Sequence, residues 1–190
     1  MKIKALAGVV TKAKQLVLYD DADGQWAGDG MAAYLLPTVL GKLSTSALIA
    51  VLDIPTDKAA DMLIRSIPMP EAYDTDDDGD DECDCDFDES CRVIYNGRDM
   101  IPLRVAGGKV YLIQSKYLKP ITDAEGLRLT LRRTEGGQPY IAAKDGMFIT
   151  AIIMPLAPKD GLSDWLGQIE TGIARARSTD GTDEDDAGQM

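Results

Sequence analysis

Between residues 92 and 153 the chain is cut into short apolar runs by turn dipeptides, and this limits its fold more than any other feature of the 190-residue sequence. "CRVIYNG", "DMIPLRVAGG" and "KVYLI" meet at Asn96-Gly97 and Gly107-Gly108, while "LRLTLRR", "PYIAAKD" and "MFITAIIMPL" meet at "TEGGQ" and Asp145-Gly146. Residues that tolerate positive φ, set between apolar runs of strand length, are hairpin signals and predict antiparallel pairing. In "LRLTLRR", Leu127, Leu129 and Leu131 alternate with Arg128, Thr130 and Arg132. That alternation predicts a half-buried strand with a basic outer face.

The first half reads less sharply. "KIKALAGVV" and "QLVLYD" are expected as strands of an opening hairpin around "TKAK", with further short strands in "QWAGDG" and "AAYLLP". "STSALIAVLD" has a Ser/Thr cap before an apolar run and predicts a helix. "TDKAADMLIRSIP" predicts another, with Ala59, Met62, Leu63 and Ile67 along one face. "QSKYLKPI" is expected as a short helical turn ended by Pro120. The fold class expected is α+β, with antiparallel sheets and helices on one face.

Charge divides the chain further. Of the 32 acidic residues, 12 fall in 71–90 and 5 in 178–190, and neither stretch holds a basic residue. The remaining 15 acids face all 20 Lys and Arg, with the excess of positive charge in 91–177. The expected organisation is therefore a half-domain at 1–70, an acidic disordered insert at 71–91 and a second half-domain at 92–157. An amphipathic helix at 158–177 and an acidic disordered tail at 178–190 follow. In the helix, Leu162, Trp165, Leu166, Ile169 and Ile173 recur at helical spacing. A polyanionic string beside a basic surface can screen or steer phosphate binding there.

The acidic run "DTDDDGDDECDC" partly matches a calcium loop, with Asp74, Asp76, Asp78 and Asp80 at alternate positions and Gly79 at the turn. The match breaks at the closing position, where Cys85 stands in place of Glu. Weak binding of a divalent cation, relieving carboxylate repulsion, is the expectation that survives. Cys83, Cys85 and Cys91 fall short of four zinc ligands in a chain without His, so free, reduced thiols are expected. No nucleophile motif or phosphate loop is present, and Asp20, Asp21, Asp23 and Asp29 sit where Asp commonly bonds its own turn. No catalytic residue or cofactor is expected. No secretory signal or apolar run of membrane-spanning length is read, which predicts a cytoplasmic protein with no membrane partner.

Residues 109–156 carry a family resemblance. Lys116-Tyr117-Leu118 after a strand, Pro139-Tyr140-Ile141 in the middle of three strands, the Asp145-Gly146 turn and the closing Met154-Pro155 resemble the last third of bacterial DNA sliding clamps. The resemblance covers about a quarter of the chain. It implies a single clamp-like domain of two β-α-β-β-β units and a non-enzymatic role in DNA replication, or in a prophage or other mobile element. The implied partners are duplex DNA or replication proteins; because the family's chains hold three such domains, a ring would need a homo-oligomer of this chain or a host clamp. Lys116 and Lys119, then Arg128, Arg132 and Arg133, are the DNA-facing candidates. Ile152, Met154, Pro155 and Leu156 are the implied lining of a groove for partner peptides, which the helix at 163–177 would cover in cis. The alternative is a structural or protein-interaction module with no DNA role, whose acidic loop binds a partner or, weakly, a divalent cation.

Overall fold

The computed structural model of the chain describes residues 1–76, 82–122 and 126–157. It is an α+β fold built on a large, mostly antiparallel sheet. The elements run α1 (Ile3–Ala13), β1 (Gln15–Asp20), β2 (Gln25–Gly28), β3 (Ala32–Leu35), α2 (Thr45–Val51), α3 (Thr56–Ala60) and β4 (Leu63–Pro68). The second half runs β5 (Cys83–Asp86), β6 (Val93–Tyr95), β7 (Arg98–Val105), β8 (Val110–Gln114), β9 (Leu127–Arg133), β10 (Pro139–Asp145) and β11 (Phe148–Ile153), with a 3-10 turn at Ser115–Tyr117 after β8.

Two meanders, β1-β2-β3 and β9-β10-β11, lie side by side in one sheet and join through the antiparallel pair β3–β11. α1 leads into the first meander, and the turn at Ser115–Tyr117 precedes the second. One sheet face carries the main core, where Leu16, Leu18, Tyr34, Leu129, Ile141 and Ile153 pack beneath Leu6, Val9 and Val10 of α1. The reverse face carries a smaller cluster of Trp26, Tyr140, Ile149 and Ile152, against which Met69 and Tyr73 pack.

The hairpins of the second half form where the turn dipeptides placed them: Asn96, Gly97, Gly107, Gly108 and Gly146 all take positive φ. In the first half two expectations fail. Residues 3–13 are helical rather than extended, because Leu6, Val9 and Val10 follow a three-to-four spacing that buries one helix face. Lys14, at φ 52°, ends the helix where a hairpin was expected. The helix expected across 56–67 stops at Ala60. Leu63–Pro68 instead extends as β4, parallel to β1 over its whole length. The β1 edge offers unpaired backbone groups there, and their satisfaction outweighs helical spacing.

Residues 83–86 depart from the disorder expected of the acidic run. β5 pairs with β9 through Cys83 and Asp84 and with β7 through Cys85 and Asp86, so it splices two sheets together. These residues are ordered because they meet counter-charges and unpaired strand edges. The helix expected at 158–177 and the tail at 178–190 lie outside the described residues.

Candidate nucleic-acid interface and partner groove

Of the basic residues expected to face DNA, three are taken up by the protein's own carboxylates. Arg132 lies on the reverse sheet face with its side chain only 3% exposed, and Lys144 beside it is 6% exposed. Glu82 serves both: Arg132 donates to its Oε2 from Nη2 at 2.6 Å and Nε at 2.9 Å, and Lys144 Nζ donates to Oε1 at 2.7 Å. Burial by itself raises the Glu82 carboxyl, but the hydrogen bonds from Lys144 and Arg132 outweigh it and hold the group below its ordinary value. Arg128 Nη2 pairs with exposed Asp84 at 2.8 Å. The outer face of β9 is thus covered at Thr130 and Arg132 rather than solvated, because the acidic segment docks on it.

Arg132 also occupies the middle of the calcium-like half-match. Its Nη1 donates to the carbonyl oxygens of Asp74 at 3.3 Å and Asp76 at 2.7 Å, with the Asp74 carboxylate at 3.5 Å. Main-chain and carboxylate oxygens that would suit a cation here hold a guanidinium. Asp78 and Asp80 lie outside the described residues. Among the described residues no group of His, Cys, Asp or Glu is clustered to hold a metal, and none of the three cysteines is in a disulfide.

Lys116 is tied to the fold in a different way. Asp29, almost fully buried, accepts from the backbone N–H of Met31 (3.0 Å) and Ala32 (3.1 Å), then from Lys116 Nζ at 3.3 Å and the Tyr117 hydroxyl at 3.1 Å. Lys116 Nζ also sits 4.4 Å from the centre of the Tyr117 ring. The Tyr34 hydroxyl donates to the Tyr117 carbonyl at 2.9 Å, so this knot locks the β2–β3 turn to the helical turn of the second half. Burial, with the Asp29 charge adding to it, pushes both tyrosines up. Asp21 bonds its own turn, accepting from Ala22 N–H at 2.8 Å, and Asp20 takes Gln25 at 2.9 Å and Lys42 at 3.4 Å.

Lys119 and Arg133 remain at the surface. Arg133 leans on the Gly137 carbonyl and the Tyr111 hydroxyl, each at 3.2 Å. Lys119 stands beside the start of α1, where the Lys2 backbone N–H donates to the Pro120 carbonyl at 2.7 Å and Lys2 Nζ reaches the Thr122 hydroxyl at 3.4 Å. A strand over residues 2–10 would not bring these lysines together; the helix does. The first fourteen residues hold Lys2, Lys4, Lys12 and Lys14 and no acid. At helical spacing, Lys4, Gly8 and Lys12 fall in one stripe opposite Leu6, Val9 and Val10.

Gly8 is the unusual member of that stripe. Glycine inside a helix costs roughly 0.5–1 kcal/mol relative to Ala, and a methyl group added here would meet nothing within 4 Å. No internal packing therefore calls for it. Gly8 also lines a shallow concavity of about 410 Å³ with Thr11, Lys12, Lys14, Lys58 and Asp61. Among the described residues, no carboxylate forms an ion pair with Lys4, Lys12, Lys14 or Lys58.

On the reverse face of β7 and β8 a groove of about 210 Å³ is lined by Met31, Tyr95, Met100, Leu112, Met154 and Leu156, with Pro155 and Arg98 at its margin. Three of the four expected groove residues are in it. Ile152 is not, because it sits in the cluster with Trp26 and Tyr140. Leu156 is held at the groove by a two-way backbone bridge to Leu112, at 2.9 and 2.8 Å. Tyr73 of the acidic segment reaches Met154, its hydroxyl 3.7 Å from the sulfur.

No protein-family model, no curated protein and no solved structure matches this chain. Among the described residues no helix is long and apolar enough to cross a membrane.

Proposed function

We propose that this chain is a non-enzymatic, sliding-clamp-like protein of DNA replication or of a mobile element, which lies against duplex DNA through α1 and engages a partner in the Met154–Leu156 groove. The observation that carries the reading is the α1 stripe: lysines without carboxylate partners among the described residues flank a helical glycine whose missing methyl leaves room for something outside the chain. A phosphate backbone suits such a surface, since it needs positive charge and close approach but no sequence readout. Lys119, beside the helix start, extends the same surface. The paired meanders, each following a helical segment, support a duplicated clamp-like unit, although among the described residues no strand precedes α1 where a β-α-β-β-β unit would have one.

The reading is tested by duplex DNA binding of the full chain at two salt concentrations. Binding should be salt-sensitive, and the triple variant Lys4→Gln, Lys12→Gln, Lys119→Gln should flatten the slope of log K against log salt by about 0.9 for each phosphate that is no longer neutralised. Absence of salt-sensitive binding in the wild-type chain sinks the DNA role. Light scattering reads the assembly state, since one domain needs further copies to surround a duplex.

The docking of Asp74, Asp76, Glu82 and Asp84 on Arg128, Arg132 and Lys144 favours a second reading, an interaction module whose acidic segment has no DNA role. A chain that binds no DNA but keeps a ligand in the groove would support that reading instead.

A further inference from the structure

We infer that the partner groove is occupied in cis by this chain's own C-terminal segment, with Leu162, Trp165 and Leu166 as the apolar anchors. The inference rests on the groove being a docking site, as proposed above, but not on DNA binding. It stands on where the chain leaves the groove, on charge and on the sequence beyond. Leu156, 42% exposed, lines the groove and is pinned to its wall by the bridge to Leu112, so the chain departs from the groove itself. Thirty-three residues follow Ala157. Pro158 and Asp160-Gly161 are turn-forming residues placed to reverse the chain, and the first apolar anchor, Leu162, follows at once.

Beyond that turn, Leu162, Trp165, Leu166, Ile169 and Ile173 recur at helical spacing, a face that requires an apolar surface to cover it. The groove supplies such a surface in Met31, Tyr95, Met100 and Leu112. Charge selects the same occupant. Arg98 at the groove margin forms no ion pair among the described residues, while residues 160–170, which hold the three anchors, carry Asp160, Asp164 and Glu170 and no basic residue. An apolar ligand with interspersed carboxylates fits that margin better than a basic one. With the segment seated, any external partner must displace it, which makes the groove self-competing.

Trp165 and Trp26 are the only tryptophans, and Trp26 is buried in the fold. The experiment is acrylamide quenching of the full chain, with Trp165 isolated as the difference from a Trp165→Phe variant. A side chain seated in a pocket loses about 70% or more of its accessible surface, so the quenching constant of Trp165 should be about threefold below that of a free tryptophan. Met31→Glu and Arg98→Glu, both at exposed positions, should return it to the free value with the circular dichroism unchanged. A Trp165 quenched like free tryptophan in the wild-type chain overturns the inference. So does protection that both groove variants leave intact, which would place the segment elsewhere. Protection that rises with protein concentration also overturns it, because the occupant would then come from a second copy. Since α1 lies on the other sheet face, these outcomes leave the DNA measurement untouched, and the two proposals fail separately.

Discussion

Replacing Glu82 by Gln keeps the shape of the side chain and removes the negative charge between two buried cations. Arg132 and Lys144 together donate three hydrogen bonds to this carboxylate, at 2.6 to 2.9 Å. Removing one partner of a buried ion pair costs about 3–5 kcal/mol, because the other charge stays buried. Arg132 keeps the carbonyls of Asp74 and Asp76, so the lower end applies, about 3 kcal/mol. In urea unfolding of the full chain this is a midpoint shift of about 1.5 M for an m-value near 2 kcal/mol/M.

The pH dependence has a fixed sign. The folded Glu82 carboxyl lies below its unfolded value, so its contribution is complete above about pH 4.3 and is lost as the pH falls through the folded value. The gap between wild type and variant should therefore narrow as the pH falls below about 4.3, because protonated Glu resembles Gln. Cys85 reports the local event. Its thiol is buried in β5 and burial pushes it up to about 12, so it should resist thiol reagents at pH 8 in the wild type and react faster in the variant. A gap below about 1 kcal/mol at neutral pH would refute the view that one carboxylate holds this segment down, as would a gap that persists undiminished to pH 3.

Three further outcomes follow from single residues. Gly8→Ala should raise stability by roughly 0.5–1 kcal/mol, an increase in Tm of about 1–4 °C, while lowering DNA affinity; unchanged affinity would mean that nothing approaches the helix at this point. Gly28→Ala should destabilise by about 1–3 kcal/mol in thermal melts, because the new methyl would lie 1.7 Å from the Ala32 carbonyl oxygen in the β2–β3 turn. Asp29→Ala should cost about 3 kcal/mol in urea unfolding, since its charged hydrogen bonds to Lys116 and Tyr117 disappear with the turn it closes; a neutral result would show that the two halves do not depend on this knot.

The second half was legible because its information is local. Asn96-Gly97 and Asp145-Gly146 demand positive φ at a glycine, and that requirement does not depend on what packs nearby. The groove was legible as far as Met154–Leu156 for a similar reason, since these residues follow the last strand directly. Ile152 was misplaced because Trp26 and Tyr140, from other strands, cover it on the face it shares with Met154. α1 was misread because "LAGVV" satisfies strand composition and helix spacing equally, and only Leu6, Val9 and Val10 meeting the sheet decides between them. β4 and β5 depend wholly on strand edges distant in sequence, which no local pattern reveals. The same holds for Arg132: its basicity was plain, but its neutralisation by Glu82 comes from 50 residues away.

The placement of the acidic segment changes what it can do. It docks on the reverse face of the sheet through Tyr73, Asp74, Glu82 and Asp84, whereas α1 covers the opposite face. Where it is described, it neutralises Arg128, Arg132 and Lys144, and the sheet lies between it and the lysines of α1. Direct masking of the proposed DNA surface is therefore the wrong geometry for it. Charge segregated across the two faces of one sheet is instead a dipole, and a dipolar protein approaching a polyanion is turned so that its basic face leads. The acidic segment then opposes binding of the wrong face rather than binding itself, and its contribution should appear in the association rate at low salt more than in the lifetime of the bound state.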